Sequence, residues 1–271
     1  MFVKEGALGE QRSAGRDPQR TLELLWGAAA PGSRGPRPSL TLARVVDTAV
    51  AVADAEGLAA VSMRRVADEL GVTTMSLYRY VPSKDSLLEL MQDAGSGAPP
   101  EARDPPGPWR TELERWARSQ KAVYRARPWL LHVPLAGPPM GPNSLGWMES
   151  ALASLQDTGL GPDDMLFVLL LVTVYVRGEA QLGFGIAEAA ERTGVSAQER
   201  DEVYANMMQS LLSSGRYPAL ARITAAGVFE LAEQDPDADF EFGLSRILDG
   251  VQALVDARGS DGQPAGGERA N

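Results

Sequence analysis

The sequence predicts an all-α fold in two parts, a small three-helix head and a larger helical core. Three observations carry that prediction. Apolar residues recur at helical spacing along most of the chain, no segment shows the strict alternation of a half-buried strand, and Pro/Gly-rich breaks at 31–38 and 95–108 separate the periodic stretches. At 271 residues the chain is long enough to bury a core in each part.

The elements follow in order. Residues 1–38 carry Arg12, Arg16, Arg20, Arg34 and Arg37 and end in the breaker run Pro31-Gly32-Ser33-Arg34-Gly35-Pro36-Arg37-Pro38, which predicts a flexible, extended arm. Within it, 21–30 has the residues for a short helix around Leu22, Leu25 and Trp26. The head is predicted at 39–94. Val45, Val46, Ala49, Val50, Val52 and Ala53 form one apolar stripe, with Ser39 or Thr41 as its cap and Glu56-Gly57 as its end. Val81-Pro82-Ser83 stops the last helix of the head, and Ser83 caps a connector carrying Leu87, Leu88, Leu90 and Met91. That connector, over about 83–94, is predicted to be the one direct covalent bridge from head to core. The core is predicted at 105–258, with helices near 109–126, 143–157, 162–192, 196–213, 218–234 and 237–257, followed by a disordered Gly-rich tail at 259–271.

Between the first helix and the connector lies the most informative stretch, SMRRVADELGVTTMSLYRY, residues 62–80. Counting from Met63, a small residue stands fifth (Ala67), a glycine ninth (Gly71), and apolar residues fill the fourth, eighth, tenth and fifteenth places (Val66, Leu70, Val72, Leu77). Ala67 lets two helices cross closely, Gly71 takes the positive φ of a tight turn, and Leu70, Val72 and Leu77 fill the shared core. This is the pattern of a helix-turn-helix, which lays its second helix in the DNA major groove. An ordinary helical hairpin shares parts of the spacing, and it is the flanking helices that favour the DNA-binding reading.

Residues 40–92 closely resemble the TetR family of bacterial repressors. The matching residues are Glu56-Gly57-Leu58, Ser62-Met63-Arg64, Val66-Ala67, Leu70-Gly71-Val72, Ser76-Leu77-Tyr78-Arg79-Tyr80-Val81 and Ser83-Lys84. Residues 105–258 resemble the ligand-binding half of the tetracycline-repressor-like branch, on helical pattern and a few residues only. The resemblance implies a homodimer on a palindromic double-stranded DNA operator, repression as the sign of regulation, and release by a small-molecule effector held in the core.

Composition narrows the alternatives. With no cysteine there is no disulfide framework, which fits the cytoplasm, and no signal peptide is readable. The longest apolar run, 165–176 with Thr173 its one interruption, is too short to span a bilayer and predicts a buried helix and no membrane partner. A net charge of −10 argues against a generic nucleic-acid binder. Within 64–84, however, Arg64, Arg65, Arg79 and Lys84 face only Asp68 and Glu69, and a dimer presents that basic tip twice. No catalytic motif appears, since Gly183-Phe184-Gly185 lacks the third glycine and the strand of a dinucleotide site, so no enzyme and no cofactor are expected. The competing reading is a helical-bundle enzyme or an adaptor that binds no DNA.

Roles on the DNA-binding face follow from position. Thr73 caps the recognition helix, Thr74 and Met75 reach base edges, and Ser76, Tyr78 and Tyr80 offer hydroxyls to phosphates. The family resemblance supports Tyr78 and Lys84 in phosphate contact. Arg79 either forks onto guanine or holds a phosphate. Arg64 and Arg65 are placed as phosphate clamps, with an Arg65–Glu69 pair as the alternative.

In the core, polar residues amid apolar ones are the pointers to a ligand. Thr173, Arg177 and Gln181 share a face of the most apolar helix, and His132, Trp147 and Tyr175 complete the set of pocket candidates. A lone histidine without cysteine argues against a dedicated metal site, so the expected ligand is not a metal. The dimer is expected through 162–192 and 237–257, where Phe240, Leu244, Ile247, Leu248, Val251, Leu254 and Val255 form a stripe wider than a peripheral helix needs.

Overall fold

The computed structural model describes residues 18–27, 40–134, 137–193, 203, 207–208, 211–212, 215–226 and 237–261, and among them it contains helices and turns but no strand. The chain forms two compact units. The first comprises Met1–Pro99 with His132–Trp147, the second Pro100–Leu131 with Met148–Asn271.

In the first unit, α1 (Pro18–Leu25), α2 (Leu42–Glu56), α3 (Met63–Leu70), α4 (Thr74–Tyr78) and α5 (Lys84–Ser96) are followed, after a break in sequence, by the first turns of α7 (Pro142–Leu155). Four of these helices start on a Ser or Thr cap. Thr41, Ser62, Thr73 and Ser83 each accept a backbone N–H three residues on, at 3.0–3.2 Å, from Arg44, Arg65, Ser76 and Ser86. Val45, Ala49, Val61, Val66, Ala67, Leu77, Val81, Leu87 and Met91 close the core without exposure. Leu70 and Val72, expected inside it, are only half-buried, because the turn at Gly71 carries them toward its rim.

The N-terminal segment departs from the predicted extended arm. α1 begins and ends earlier than the helix expected at 21–30, and it packs on α5. Leu24 and Thr21 are buried, and the Thr21 and Ser86 hydroxyls share a hydrogen bond of 2.9 Å. Trp26 Nε1 donates to the Met140 carbonyl at 2.9 Å. Local composition argued for an arm, but an apolar partner distant in sequence stabilises a short helix that propensity alone does not. Arg34, Arg37 and residues 262–271 of the predicted tail lie outside the described residues, whereas 259–261, expected to be disordered, continue the last helix.

The second unit is built from α6 (Trp109–Ala126), the later turns of α7, α8 (Pro162–Thr193), α9 (Pro218–Ala225) and α10 (Ala238–Asp261). Leu113, Trp116 and Ala117 of α6, Val168, Leu169, Val172 and Val176 of α8, and Phe240, Leu244, Leu248 and Val251 of α10 form its core. The α6 and α10 helices are also joined by charge. Arg110 meets Asp249 at 2.8 Å, Arg118 meets Glu241 at 2.8 Å, and Lys121 and Arg125 converge on Asp237 at 3.0 and 2.6 Å. These cations hold the Asp237 and Glu241 carboxyls below their usual range. Lys121 also sits 4.0 Å over the Phe240 ring. The helix expected at 196–213 and residues 227–234 fall mostly or wholly outside the described residues.

By compactness residues 132–147 group with the first unit, so the chain passes between the two compact units at Pro99-Pro100, at Leu131-His132 and inside α7 at Trp147-Met148. One expectation needs correction. The apolar run at 165–176 is only part of a longer helix, and Pro162–Ile186 of α8 is long and apolar enough to cross a membrane by length and composition, with 22% of its most apolar stretch buried. The run length therefore does not decide the matter. Its faces differ: Val168, Leu169, Val172 and Val176 turn inward, while Phe167, Leu170, Leu171 and Val174 remain exposed.

Candidate nucleic-acid interface

The recognition element is set by its turn. Gly71 adopts φ 68° and ψ 32°, the left-handed region, and ends α3 while its N–H donates to Asp68 O at 3.2 Å and the Val72 N–H to Ala67 O at 3.0 Å. Thr73 then restarts the chain as α4. Leu77 is fully buried and anchors this single turn and a half to the core, which leaves the opposite face outward. On that face Met75 is 75% exposed and Tyr78 44%, values far above those of ordinary apolar residues in a packed head. Thr73, Arg79 and Lys84 are exposed, and Thr74, Ser76 and Tyr80 are half-buried beside them. The Thr73 and Ser76 hydroxyls share a hydrogen bond of 2.9 Å.

The two arginines of α3 differ. Arg64 projects into solvent, with Asp68 at 3.7 Å. Arg65 is braced between Glu56 at 2.7 Å and Glu69 at 2.5 Å, which ties α3 to the end of α2. Both acids raise the guanidinium pKa through charge-assisted hydrogen bonds. A phosphate contact by Arg65 must therefore compete with two carboxylates already in place.

Two family descriptions match the chain. Residues 45–91 match the bacterial regulatory proteins of the tetR family, and residues 100–255 the tetracyclin repressor-like C-terminal domain. The chain belongs to the TetR family. As such it is a helix-turn-helix transcriptional regulator and not an enzyme. It is 43% identical over 264 residues to the HTH-type transcriptional repressor DrrR1 of Streptomyces coeruleorubidus, covering 96% of this chain and 95% of that one. An HTH-type transcriptional regulator of Saccharopolyspora erythraea is 31% identical over 81% of this chain and 87% of its own length. Among solved TetR-family structures, ActR of Streptomyces coelicolor in complex with actinorhodin matches with a TM-score of 0.64 and 32% identity, over 79% of this chain and 96% of that one. The α8 helix lies wholly inside the matched C-terminal domain, the place of a domain helix rather than an added span.

The effector candidates are spread over both units. In the first, Trp147 is buried with its Nε1–H donating to Gly97 O at 2.9 Å, and His132 is exposed. In the second, the Tyr175 hydroxyl donates to Phe240 O at 2.9 Å, and Arg177 Nη2 donates to Leu131 O at 2.8 Å. Burial and the nearby Glu179 carboxylate raise the Tyr175 phenol pKa. The Thr173 hydroxyl turns back on Leu169 O at 2.8 Å, and Glu179 pairs with Lys121 at 3.6 Å. Gln181 is exposed on a shallow apolar groove with Gly178, Leu182, Gly185, Ile186 and Ala189. Among the described residues no group of three His, Asp or Glu side chains is placed to hold a metal ion.

Sequence reasoning missed two buried acids. Asp93 and Glu112 are 6% and 8% exposed. Glu112 is bound by Arg115 at 2.7 Å, which lowers its pKa, and accepts the Gly107 N–H at 3.3 Å. The available signal for Asp93 was its spacing three residues after Leu90, on the apolar face of the connector.

Proposed function

We propose that this regulator is a cytoplasmic repressor that docks as a homodimer on a palindromic double-stranded DNA operator and leaves when a small-molecule effector binds its core. The observation that carries the reading is the outward face of α4, where Met75 and Tyr78 stand exposed on a helix pinned from behind by Leu77. In this assignment Thr74, Met75 and Arg79 read bases. Arg64, Arg65, Thr73, Ser76, Tyr78, Tyr80 and Lys84 hold phosphates, with Arg65 exchanging a carboxylate for DNA.

A homodimer is supported by what α8 and α10 leave open. A groove of about 430 Å³ runs between them, lined by Phe167, Leu171, Ile247, Val251 and Leu254. Phe167 is 64% exposed and Leu171 49%, in contrast to the closed face formed by Leu244 and Leu248. A second copy's helices cover such a stripe in a four-helix interface. For the effector, the complex of ActR with actinorhodin supports an organic molecule held by this kind of core. Tyr175, Arg177 and Gln181 on α8 are the proposed contacts.

The test begins with selection of bound fragments from the source genome by the purified protein. Tyr78→Phe and Lys84→Ala should then weaken binding evenly across operator variants, whereas Thr74 or Arg79 substitutions should change base preference by about 1–3 kcal/mol per lost contact. Unchanged affinity in all four variants would remove α4 from the interface.

A further inference from the structure

The connector helix α5 carries near its end a buried carboxylate that the DNA-binding face does not use. Among the described residues, the donors to the Asp93 carboxylate come from the first turn of α7. Ser144 N and Ser144 Oγ each donate to Oδ1 at 2.8 Å, while Asn143 N and Nδ2 donate to Oδ2 at 3.3 and 3.2 Å. Asn143 Nδ2 also donates to the Asp93 carbonyl at 3.1 Å.

This arrangement performs a cap's work from a distance. The first amides of a helix lack partners and carry partial positive charge, and a side chain just before the helix ordinarily satisfies them. Gly141 occupies that place in α7, since its carbonyl accepts the Leu145 N–H at 2.9 Å, but it has no side chain to contribute. Asp93 supplies the missing acceptor from α5. The fit excludes anything larger, because a Cβ on Gly141 would overlap the Asp93 carboxylate. Nearby, Trp147 Nε1 donates to Gly97 O, and a Cβ on Gly146 would stand 3.4 Å from Pro99 Cδ.

We propose that Asp93 and the first turn of α7 form a latch that holds the connector in its operator-binding position, so that operator binding and latch closure favour one another. The proposal rests on the operator reading above and adds the residues that position the head. α5 begins only a few residues after the recognition helix. Two heads must dock together, roughly 34–36 Å apart along the duplex, so a connector loose at its far end spreads the head positions and lowers affinity. The latch has two discrete states. Closed, it satisfies the carboxylate and the amides together; partly open, it strands buried polar groups, which is costly. Because coupling is reciprocal, operator must strengthen the latch by the factor by which the latch strengthens operator binding.

The experiment measures both sides of that linkage on the full chain, using the genomic fragment selected by the purified protein as probe. Hydrogen exchange at the Ser144 amide is followed with and without saturating fragment, with the Val172 amide in α8 as reference. Exchange at Ser144 should slow by about 5- to 150-fold relative to Val172. Asp93→Ala and Gly141→Ala should weaken fragment binding by a matching factor, the first by removing the acceptor and the second by displacing it. Wild-type affinity in both folded variants, or Ser144 exchange indifferent to the fragment, would overturn the latch and leave the DNA-binding reading standing. Failure of the wild-type protein to select any fragment would instead overturn that reading. Should either variant not fold, the wild-type exchange measurement decides alone.

Discussion

Replacing Gly71 by alanine isolates the backbone contribution to the DNA-binding face. A Cβ added there meets nothing within 4 Å, so the substitution creates no clash with the rest of the head. What it does impose is a left-handed conformation, φ 68°, on a residue with a side chain, at about 1–2 kcal/mol. The turn has two ways to respond. If it holds, the head loses that much stability. If it relaxes toward ordinary φ, the Val72-to-Ala67 hydrogen bond breaks and α4 swings, and about 1–2 kcal/mol appears as a 5- to 30-fold weaker operator complex. Gly71→Asn, which tolerates this region better, should recover much of the loss. Chemical denaturation and operator titration, run on all three proteins, read the two responses separately. Alanine that is neutral in both assays would refute the reasoning, as would asparagine that is no better than alanine.

Further outcomes follow from the same structure. Phe167→Asp should give a monomeric mass by light scattering and lose operator binding, because the side chain is 64% exposed on the open groove; a dimer that survives it would place the interface elsewhere. Val251→Asp is a poorer test, since Val251 is 4% exposed and already belongs to the core of its own subunit. Leu24→Ala should destabilise the first unit by about 2–5 kcal/mol if α1 is a true part of it, and a denaturation midpoint equal to wild type would return α1 to the status of a loose leader. Asp237 and Glu241, whose pKa values are lowered on folding, contribute stability that is present above their unfolded pKa and lost as pH falls through the folded one. Glu241→Gln should therefore lower the melting temperature at pH 7 and converge with wild type well below about pH 4, whereas a constant gap across the titration would contradict the α6–α10 charge pairing.

Features with local causes are legible in the amino-acid order. The Ser and Thr caps at 41, 62, 73 and 83 act on amides three residues away. Gly71 answers a φ requirement of its own turn, and the period that buries Leu77 necessarily turns Met75 outward. The head and the exposed face of α4 were therefore legible before any coordinates, and so were the bounds of α6, α8 and α10 within a few residues.

Features whose two partners lie far apart in the chain emerge with the fold. α1 is docked because α5 offers it an apolar surface and the Ser86 hydroxyl, which composition at residues 1–38 cannot show. The apolar stripe of α10 read as one continuous face, yet Phe240, Leu244 and Leu248 are buried within the subunit while Ile247 and Leu254, beside the mostly buried Val251, line the open groove next to α8. Periodicity gives the direction of a side chain, not the identity of what it meets. Arg65 reads from sequence as a phosphate clamp or a partner of Glu69, and the fold adds Glu56, nine residues upstream, as a second carboxylate bonded to it. Asp93 looked like one more acid on a helix, since the amides that make it a cap begin fifty residues later. Its role arises because folding brings a helix start whose own cap position is a glycine against a buried carboxylate.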